Sequence, residues 1–455
     1  MNSSSLSFAK AWFALSVLAL AFGYGFLSHA WGLFPKTYVE RAWRQARAVV
    51  GTTSEPPGLP RVYDRSGTRV LDRKRMQPGG AILLTSSWRW RESDSLEPGA
   101  KLISRDGEML HAWHPERSDL FQGPGLEGKD PRKVNYHGSY LFSNGDLLLN
   151  LSRIGLVRLN SCGQVLWRLK EGNHHSIARA EDGSFWTPGT SSETRRGTSQ
   201  YPDGFPGIDE EIWIEQIVHV SEKGEVLQKI NVLDILYRND LQRYISKVDQ
   251  PQAGTRGPLW KNDISHINDV EPLSSSLSRE YPLFDAGDLL ISLRNLHLVF
   301  VFDPESEKVK WHASDPFITQ HDPDFIGDGW IGVFDNNEDF TKRGRMNGGS
   351  RIVALQSHTD SLRVLFPTQR SDHFYTKIRG KWQKLENGNM LLTEANAGRV
   401  VEVTPNGEAV WEWIHSPVSR SRVAPVTEGT YYDLTREDIA SWSCSSLDSV
   451  STSAQ

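Results

Sequence analysis

The sequence predicts an all-β protein, a six-bladed β-propeller preceded by an N-terminal transmembrane helix or signal sequence. Three observations carry that expectation: a four-strand pattern punctuated by glycine turns recurs along the chain, histidines recur at a fixed distance ahead of those turns, and an apolar stretch opens the sequence. A chain of 455 residues would ordinarily imply two or three domains. A repeat architecture escapes that expectation, because each unit buries its faces only against its neighbours.

From Ala11 to Phe34 the clearly polar side chains are Ser16, Ser28 and His29. At about 1.5 Å per residue, a helix over this stretch reaches across a bilayer core. Ser28-His29-Ala30 also fits a signal-peptidase site, so residues 1–35 are read as either a retained anchor or a cleaved signal. Tyr38, Ala42, Ala46 and Val49 recur at helical spacing and predict a short helix over 36–50. Three prolines and two glycines between Gly51 and Pro60 read as a linker. The expected organisation is therefore 1–35 anchor or signal, 36–78 helix and linker, 79–435 propeller, and 436–455 a tail that frays in its Ser-rich part from Ser441.

The propeller units follow in order. The first runs from Ala81-Ile-Leu-Leu-Thr85 through Ala100-Lys-Leu-Ile-Ser104 to Gly107 and Trp113. The second starts at His137, turns at Asn144-Gly145, and continues through Leu156 and Gly163 to Trp167. Asn-Gly is the turn chemistry of tight antiparallel hairpins. The third opens at His175 and turns at Asp182-Gly183, the fourth at His266 and Gly287, the fifth at His321 and Gly329, and the sixth turns at Asn387-Gly388 and ends at Trp411. Six units over this length give about 60 residues each, above the roughly 40–50 usual for propeller repeats. Insertions at 191–211, 234–263 and 273–285 hold the excess, and the first two are expected over the channel mouth.

Composition narrows the function. Asp and Glu number 56 against 51 Lys and Arg, and no basic arm appears, which excludes nucleic acid as a partner. Sixteen Trp suit packing between sheets. Trp88, Trp90, Trp260 and Trp382 are read first as packing and second as platforms for an aromatic substrate. Cys162 and Cys444 show no metal or redox spacing and are expected as unpaired thiols.

The turn glycines serve as a ruler. His137, His175 and His321 each lie eight residues ahead of one, at Gly145, Gly183 and Gly329. Inner strands line a propeller's channel, so these side chains should face one another. His266 occupies the same strand start in the fourth unit, and strand alternation puts Asn268 on its face while turning His174 away from the face of His175. Gly380 stands at that register in the last unit, which contributes no histidine. An imidazole ring of this kind suits a metal or an oxyanion. No carboxylate or thiolate shares the register to complete a metal sphere, whereas Arg294 adds a guanidinium, so an anion is favoured and neither metal nor cofactor is expected.

The segments His174-His175-Ser176-Ile177, Ser265-His266-Ile267-Asn268, Ile291-Ser292-Leu293-Arg294 and Gln320-His321-Asp322, followed by Val333-Phe334-Asp335-Asn336, resemble the bacterial arylsulfate sulfotransferase family in order and blade placement. The opening Gln77-Pro78-Gly79-Gly80 and Lys101-Leu102-Ile103-Ser104 also look like the family's first blade, and the similarity spans residues 75–415. The resemblance implies a nucleotide-independent sulfotransferase taking an aryl sulfate donor and a phenolic acceptor by a ping-pong route. It implies His321 as nucleophile, with His175 (or His174), His266 and Arg294 holding the sulfuryl oxygens, and Asn268 and His137 against substrate. Asp322 is turned away by alternation and is given no orienting role. The absence of a phosphate-cradling loop agrees. An exported family implies a periplasmic body on the inner membrane, although Arg41, Arg44 and Arg47 beyond the span argue for the opposite orientation. Other readings are a propeller acting on a different sulfated substrate such as a glycan, and a non-catalytic binding propeller.

Overall fold

Three second strands set the architecture. Leu147–Leu151, Leu289–Leu293 and Met390–Glu394 are buried at every position. A strand buried on both faces needs a sheet against each, and radial stacking of blades supplies it. The computed structural model describes residues 3–31, 62–90, 96–115, 120, 135–249, 262–338 and 349–444. The helix expected over 36–50, the linker at 51–60 and Trp260 lie outside the described residues.

The chain divides into two units, 1–59 and 60–455. In the first, Ser3–Trp31 forms one helix. Among the described residues no helix is long and apolar enough to cross a membrane, so the span expected here is not found. Gly23, Tyr24 and Gly25 interrupt its apolar run.

The second unit is a six-bladed propeller. Four blades are consecutive meanders: Tyr136–Leu141 to Val165–Leu169, Ala178–Arg179 to Val226–Asn231, Ile267–Pro272 to Lys308–Ala313, and His321–Phe325 to Leu362–Phe366. The other two are completed from the chain ends. Glu428–Tyr432 pairs with Ala81–Arg89, Thr85 opposite Glu428, and supplies the inner strand of the first blade. The strand at Ala81, read as the start of its unit, is thus second in its sheet. Gly67–Val70 adds a fifth, outer strand to the last blade, Gly67 opposite Ile414. Residues assigned to a linker before 79 therefore belong to the propeller. A ring closed by strands from both ends leaves little free edge.

The first two expected insertions pack beside the third and fourth blades, and the third, through Leu273, Tyr281 and Phe284, packs between the fourth and fifth. The helix Val232–Arg238 buries Val232, Leu233, Ile235 and Leu236 in the core shared by the third and fourth blades, together with Phe205, Ile212 and Ile214. Thr198 donates to Asp234 at 2.7 Å and joins the first insertion to the second.

The tail is held as far as Cys444. Thr435 caps the helix Arg436–Ala440 in a reciprocal capping box. Trp442 then packs edge-on to His111 and beside Trp113, with its indole N–H on the Ser143 carbonyl. That placement brings Cys444 to Cys162, and the two form a disulfide with Cα atoms 5.1 Å apart. The expectation of unpaired thiols is corrected: 282 residues separate the pair, and the closing strand brings them together. Replacing both by Ser (Cys162→Ser with Cys444→Ser) is expected to lower unfolding stability by about 2–4 kcal/mol. Denaturant midpoints would show it, and an unchanged midpoint would mean the closing strand needs no tether.

Candidate active site

The inner strands are approached through left-handed backbone. Gly138 (φ 108°), His175 (59°), His266 (48°), Asp322 (46°) and Arg379 (65°) all have positive φ. At Gly138 a Cβ would stand 1.5 Å from the His175 carbonyl oxygen, so only glycine lets these two blades meet. Left-handed residues interrupt the strand ladder, and side chains of the preceding blade take up the freed backbone groups. Asn150 donates to the carbonyls of His175 (2.9 Å) and Ser176 (3.1 Å). Glu215 accepts from Ser265 Oγ (2.7 Å) and Ile267 N (2.6 Å). Asn268 donates to Gln320 O (2.7 Å), and Asn336 donates to Thr376 O (2.9 Å) and Arg379 O (2.6 Å).

These clasps gather the histidines. The His175 ring lies 4.1 Å from His137, 5.0 Å from His266 and 6.3 Å from His321 between centroids. His174 stands behind His175 in the blade, fully buried, with the two Nδ1 atoms 2.6 Å apart. His175 is therefore the member of the pair among the other rings. The period-two argument for His266 and Asn268 does not hold, because the register shifts between Ile267 and Asp269. Asn268 serves instead as the clasp on Gln320, next to His321. Asp322 accepts from Lys381 Nζ (2.9 Å) and Trp382 N (2.6 Å) and makes no bond to His321. Trp382 and Trp88 are packing residues, their indole N–H groups on backbone carbonyls.

Hydrogen-bond partners assign the protons. His321 Nδ1 lies 2.6 Å from Asn336 Oδ1 and 3.0 Å from Thr319 O, two acceptors, so Nδ1 carries hydrogen and Nε2 keeps its lone pair. Asn336 presents its oxygen because its amide nitrogen is committed to two carbonyls. Burial, then the Arg294 guanidinium, hold His321 down at about 3, so it is neutral at ordinary pH. His266 is likewise lowered to about 3 by burial and Arg294. Its Nδ1 is 2.5 Å from Asp263 Oδ2, which also accepts from Arg153 Nη2 at 2.8 Å. Burial alone would raise Asp263, but His266 and Arg153 outweigh it and hold it below the usual range. Glu215 goes the other way, pushed up to about 8 by burial and the Asp263 charge. Donor atoms of Glu215, Asp263 and His266 lie within 4.8 Å of one another, and Arg153 supplies the positive charge among them. Burial, followed by the Arg379 charge, lowers His137 well below its usual value.

Farther along the same inner strands the channel turns acidic. Asp269, Glu271, Asp324 and Glu428 all have raised pKa values, from burial first and then, in different combinations, from one another and Asp322, with Lys381 opposing. Raised pKa values favour the protonated, neutral form of these carboxyl groups. A separate cleft of about 310 Å³, lined by Trp330, Arg363 and Trp382 among others, includes none of the histidines.

The family profile described as arylsulfotransferase (ASST) matches residues 139–416, more than half of the chain, and includes three of the four histidines, His175, His266 and His321. The chain belongs to the arylsulfotransferase family. Among solved structures, a protein of unknown function from Bacteroides caccae is 13% identical with a TM-score of 0.46, over 78% of this chain and 100% of that one. A streptogramin B lyase is 12% identical at 0.37 over 77% and 87%, and the WD40 β-propeller domain of Doa1 is 10% identical at 0.40 over 85% and 98%. Similarity this distant bears on no activity. No curated protein matches the chain.

Sequence reasoning gave this arylsulfotransferase no roles for Arg153, Glu215, Asp263 or Asn336. Arg153 was open to detection: it sits in the turn before a third strand, as Arg294 does in its own blade. One consequence of the buried neutral histidines is measurable. The folded pKa of His321 lies below its ordinary 6.5, so the unfolded chain takes up the proton first. Its contribution is complete above about 6.5 and lost as pH falls toward 3, at up to about 1.4 kcal/mol per pH unit. Compared with His321→Gln, the wild type should lose relative stability over that window. Parallel denaturant midpoints between pH 7 and 5 would contradict it.

Proposed function

We propose that this arylsulfotransferase moves a sulfuryl group from an aryl sulfate to a phenol, without a nucleotide donor, through a sulfohistidine at Nε2 of His321. The observation that carries the reading is the clamp on Nδ1. With Asn336 and Thr319 accepting there, the lone pair is confined to Nε2, which has no hydrogen-bond partner among the described residues. A neutral, oriented imidazole is what nucleophilic catalysis needs.

The sulfuryl group carries dispersed negative charge, and fixed donors around it lower the barrier. Arg294 is the strongest charge acting on both His266 and His321. An anion beside it favours protonation of His266, whose Nδ1–H already has Asp263 as acceptor. Attack of His321 Nε2 on sulfur expels the aryl oxide, and attack of a phenol oxygen on the same sulfur frees the histidine. Donor and acceptor occupy the site in turn, which is ping-pong kinetics. His137 extends the ring wall and lies against the aryl group on this reading. The disulfide supports an oxidising compartment, and with the N-terminal helix it supports a periplasmic location, tethered or released.

The test is transfer from 4-nitrophenyl sulfate to phenol by the full chain. Nitrophenol release by the wild type is expected to fall by about 10³-fold or more in His321→Ala. Release that persists in the variant removes His321 as nucleophile, and no release with any simple phenol removes the aryl sulfate reading.

A further inference from the structure

Behind the channel wall, buried polar atoms lack partners. Nε2 of His174 and Oε1 of Glu215 have no hydrogen bond, although both side chains are essentially inaccessible to solvent. They face each other at 3.7 Å. Leaving two such atoms unsatisfied in a dry interior is costly; at 3.7 Å they stand just beyond hydrogen-bond reach, and a shift of about 0.5 Å lets one proton serve both.

The position of that proton follows from the other contacts. Glu215 Oε2 already accepts from Ser265 Oγ and Ile267 N, so a carboxylic acid hydrogen belongs on Oε1, toward His174. If His174 Nε2 accepts it, His174 Nδ1 carries hydrogen and donates across 2.6 Å to His175 Nδ1. His175 then carries hydrogen on Nε2, at the opposite side of its ring, among His137, His266 and His321. Shifting each hydrogen one place along the line gives the complementary state, with Glu215 ionised and His175 Nε2 a bare acceptor. With that gap closed, each nitrogen and oxygen on the line meets a complementary partner in both states.

We propose that Glu215, His174 and His175 form a proton relay that supplies the leaving aryl oxide with its proton and recovers it from the incoming phenol. The proposal rests on the sulfuryl-transfer reading above. In the first half-reaction the His321 Nε2–S bond forms and the S–O(aryl) bond breaks. The aryl oxide takes hydrogen from His175 Nε2, His175 Nδ1 takes one from His174, and His174 Nε2 takes one from Glu215, leaving phenol, sulfohistidine and a carboxylate. In the second half the incoming phenol oxygen bonds sulfur, the N–S bond breaks, and the phenol hydrogen returns along the line to Glu215. No proton is gained or lost over the cycle, and one group serves as acid and then base.

The charges around Glu215 suit that task. Asp263 and His266 approach from the fourth blade's lead-in, Arg153 from the second blade and His174 from its own blade, while Ser265 and Ile267 donate to Glu215. Arg153 is 2.8 Å from Asp263 but 3.9 Å from Glu215. One guanidinium neutralises the nearer carboxylate, and Glu215 keeps its proton up to about pH 8. A neutral imidazole alone is a weak acid. Drawing on Glu215 gives the site an acid matched to neutral pH. His266 Nδ1 is paired with Asp263, and that ring stands outside this line.

Glu215→Gln keeps the size, the accepting oxygen and a donor toward His174, but cannot release a proton. Sulfohistidine formation is measured from phenyl sulfate, a poor leaving group, and from 4-nitrophenyl sulfate, a good one. The variant should lose about 10²-fold with phenyl sulfate, and at least tenfold less than that with 4-nitrophenyl sulfate. Equal losses on the two donors would overturn the relay and leave Glu215 a structural clasp. Wild-type inactivity on both would defeat the sulfuryl-transfer reading instead. The relay is then decided by NMR of isotope-labelled histidine. The ring nitrogens of His174 and His175 should change together as pH crosses about 8 in the wild type and stay fixed in Glu215→Gln. Fixed signals in the wild type overturn it.

Discussion

The structure depends on how each blade hands its backbone to the next. A propeller channel is lined by inner strands, and here those strands are reached through left-handed residues whose backbone groups cannot all join the sheet. Asn150, Glu215, Asn268 and Asn336 each reach from one blade to the lead-in of the following one. Such bonds satisfy buried backbone where leaving it bare would cost about 1–3 kcal/mol per group. They also fix the angle between blades, and so the distance between side chains that different blades project toward the axis. Two of the four also touch the candidate site. Asn336 sets the tautomer of His321, and Glu215 faces His174. The contacts between blades and the arrangement of the site are therefore carried by the same side chains at these positions.

Charge is distributed to suit an anion that must come and go. The histidines near Arg294 are kept neutral by burial, so the empty site does not hold a cluster of uncompensated cations. On the proposed reading, an arriving sulfuryl group favours protonated His266 and leaves His321 neutral to attack. The carboxyl groups farther along the same strands are pushed toward their neutral form by burial, and Lys381 opposes that shift.

The blade count and the gathering of His137, His175, His266 and His321 were legible because both rest on short-range regularity. A turn glycine eight residues after the histidine fixes a register in three of the units, and closure of the ring converts register into proximity. What stayed hidden depends on chain that is distant in sequence. Glu215 comes from a third strand, Arg153 from a turn in another blade, and Asp263 from the end of an insertion. The closing strand Glu428–Tyr432 and the Cys162–Cys444 bridge join opposite ends of the chain and leave no local pattern. Alternation served as a guide only where the ladder is regular, and the register shift at Ile267–Asp269 removed it at Asn268.

The adjacent histidines show why the irregular backbone matters. In a regular strand successive side chains leave on opposite faces, and neighbouring imidazoles could not meet nitrogen to nitrogen. At His175 the backbone adopts φ 59°, and the two Nδ1 atoms stand 2.6 Å apart. A left-handed non-glycine residue costs roughly 1–3 kcal/mol and persists only where its surroundings enforce it. The enforcement is visible: Asn150 holds the His175 and Ser176 carbonyls, and Gly138 leaves room for them. The strained turn is what connects a buried carboxyl group to the channel through two rings. A relaxed strand at this position would bring His175 to the axis just as well, but it would leave Glu215 and His174 without a path to the reacting group.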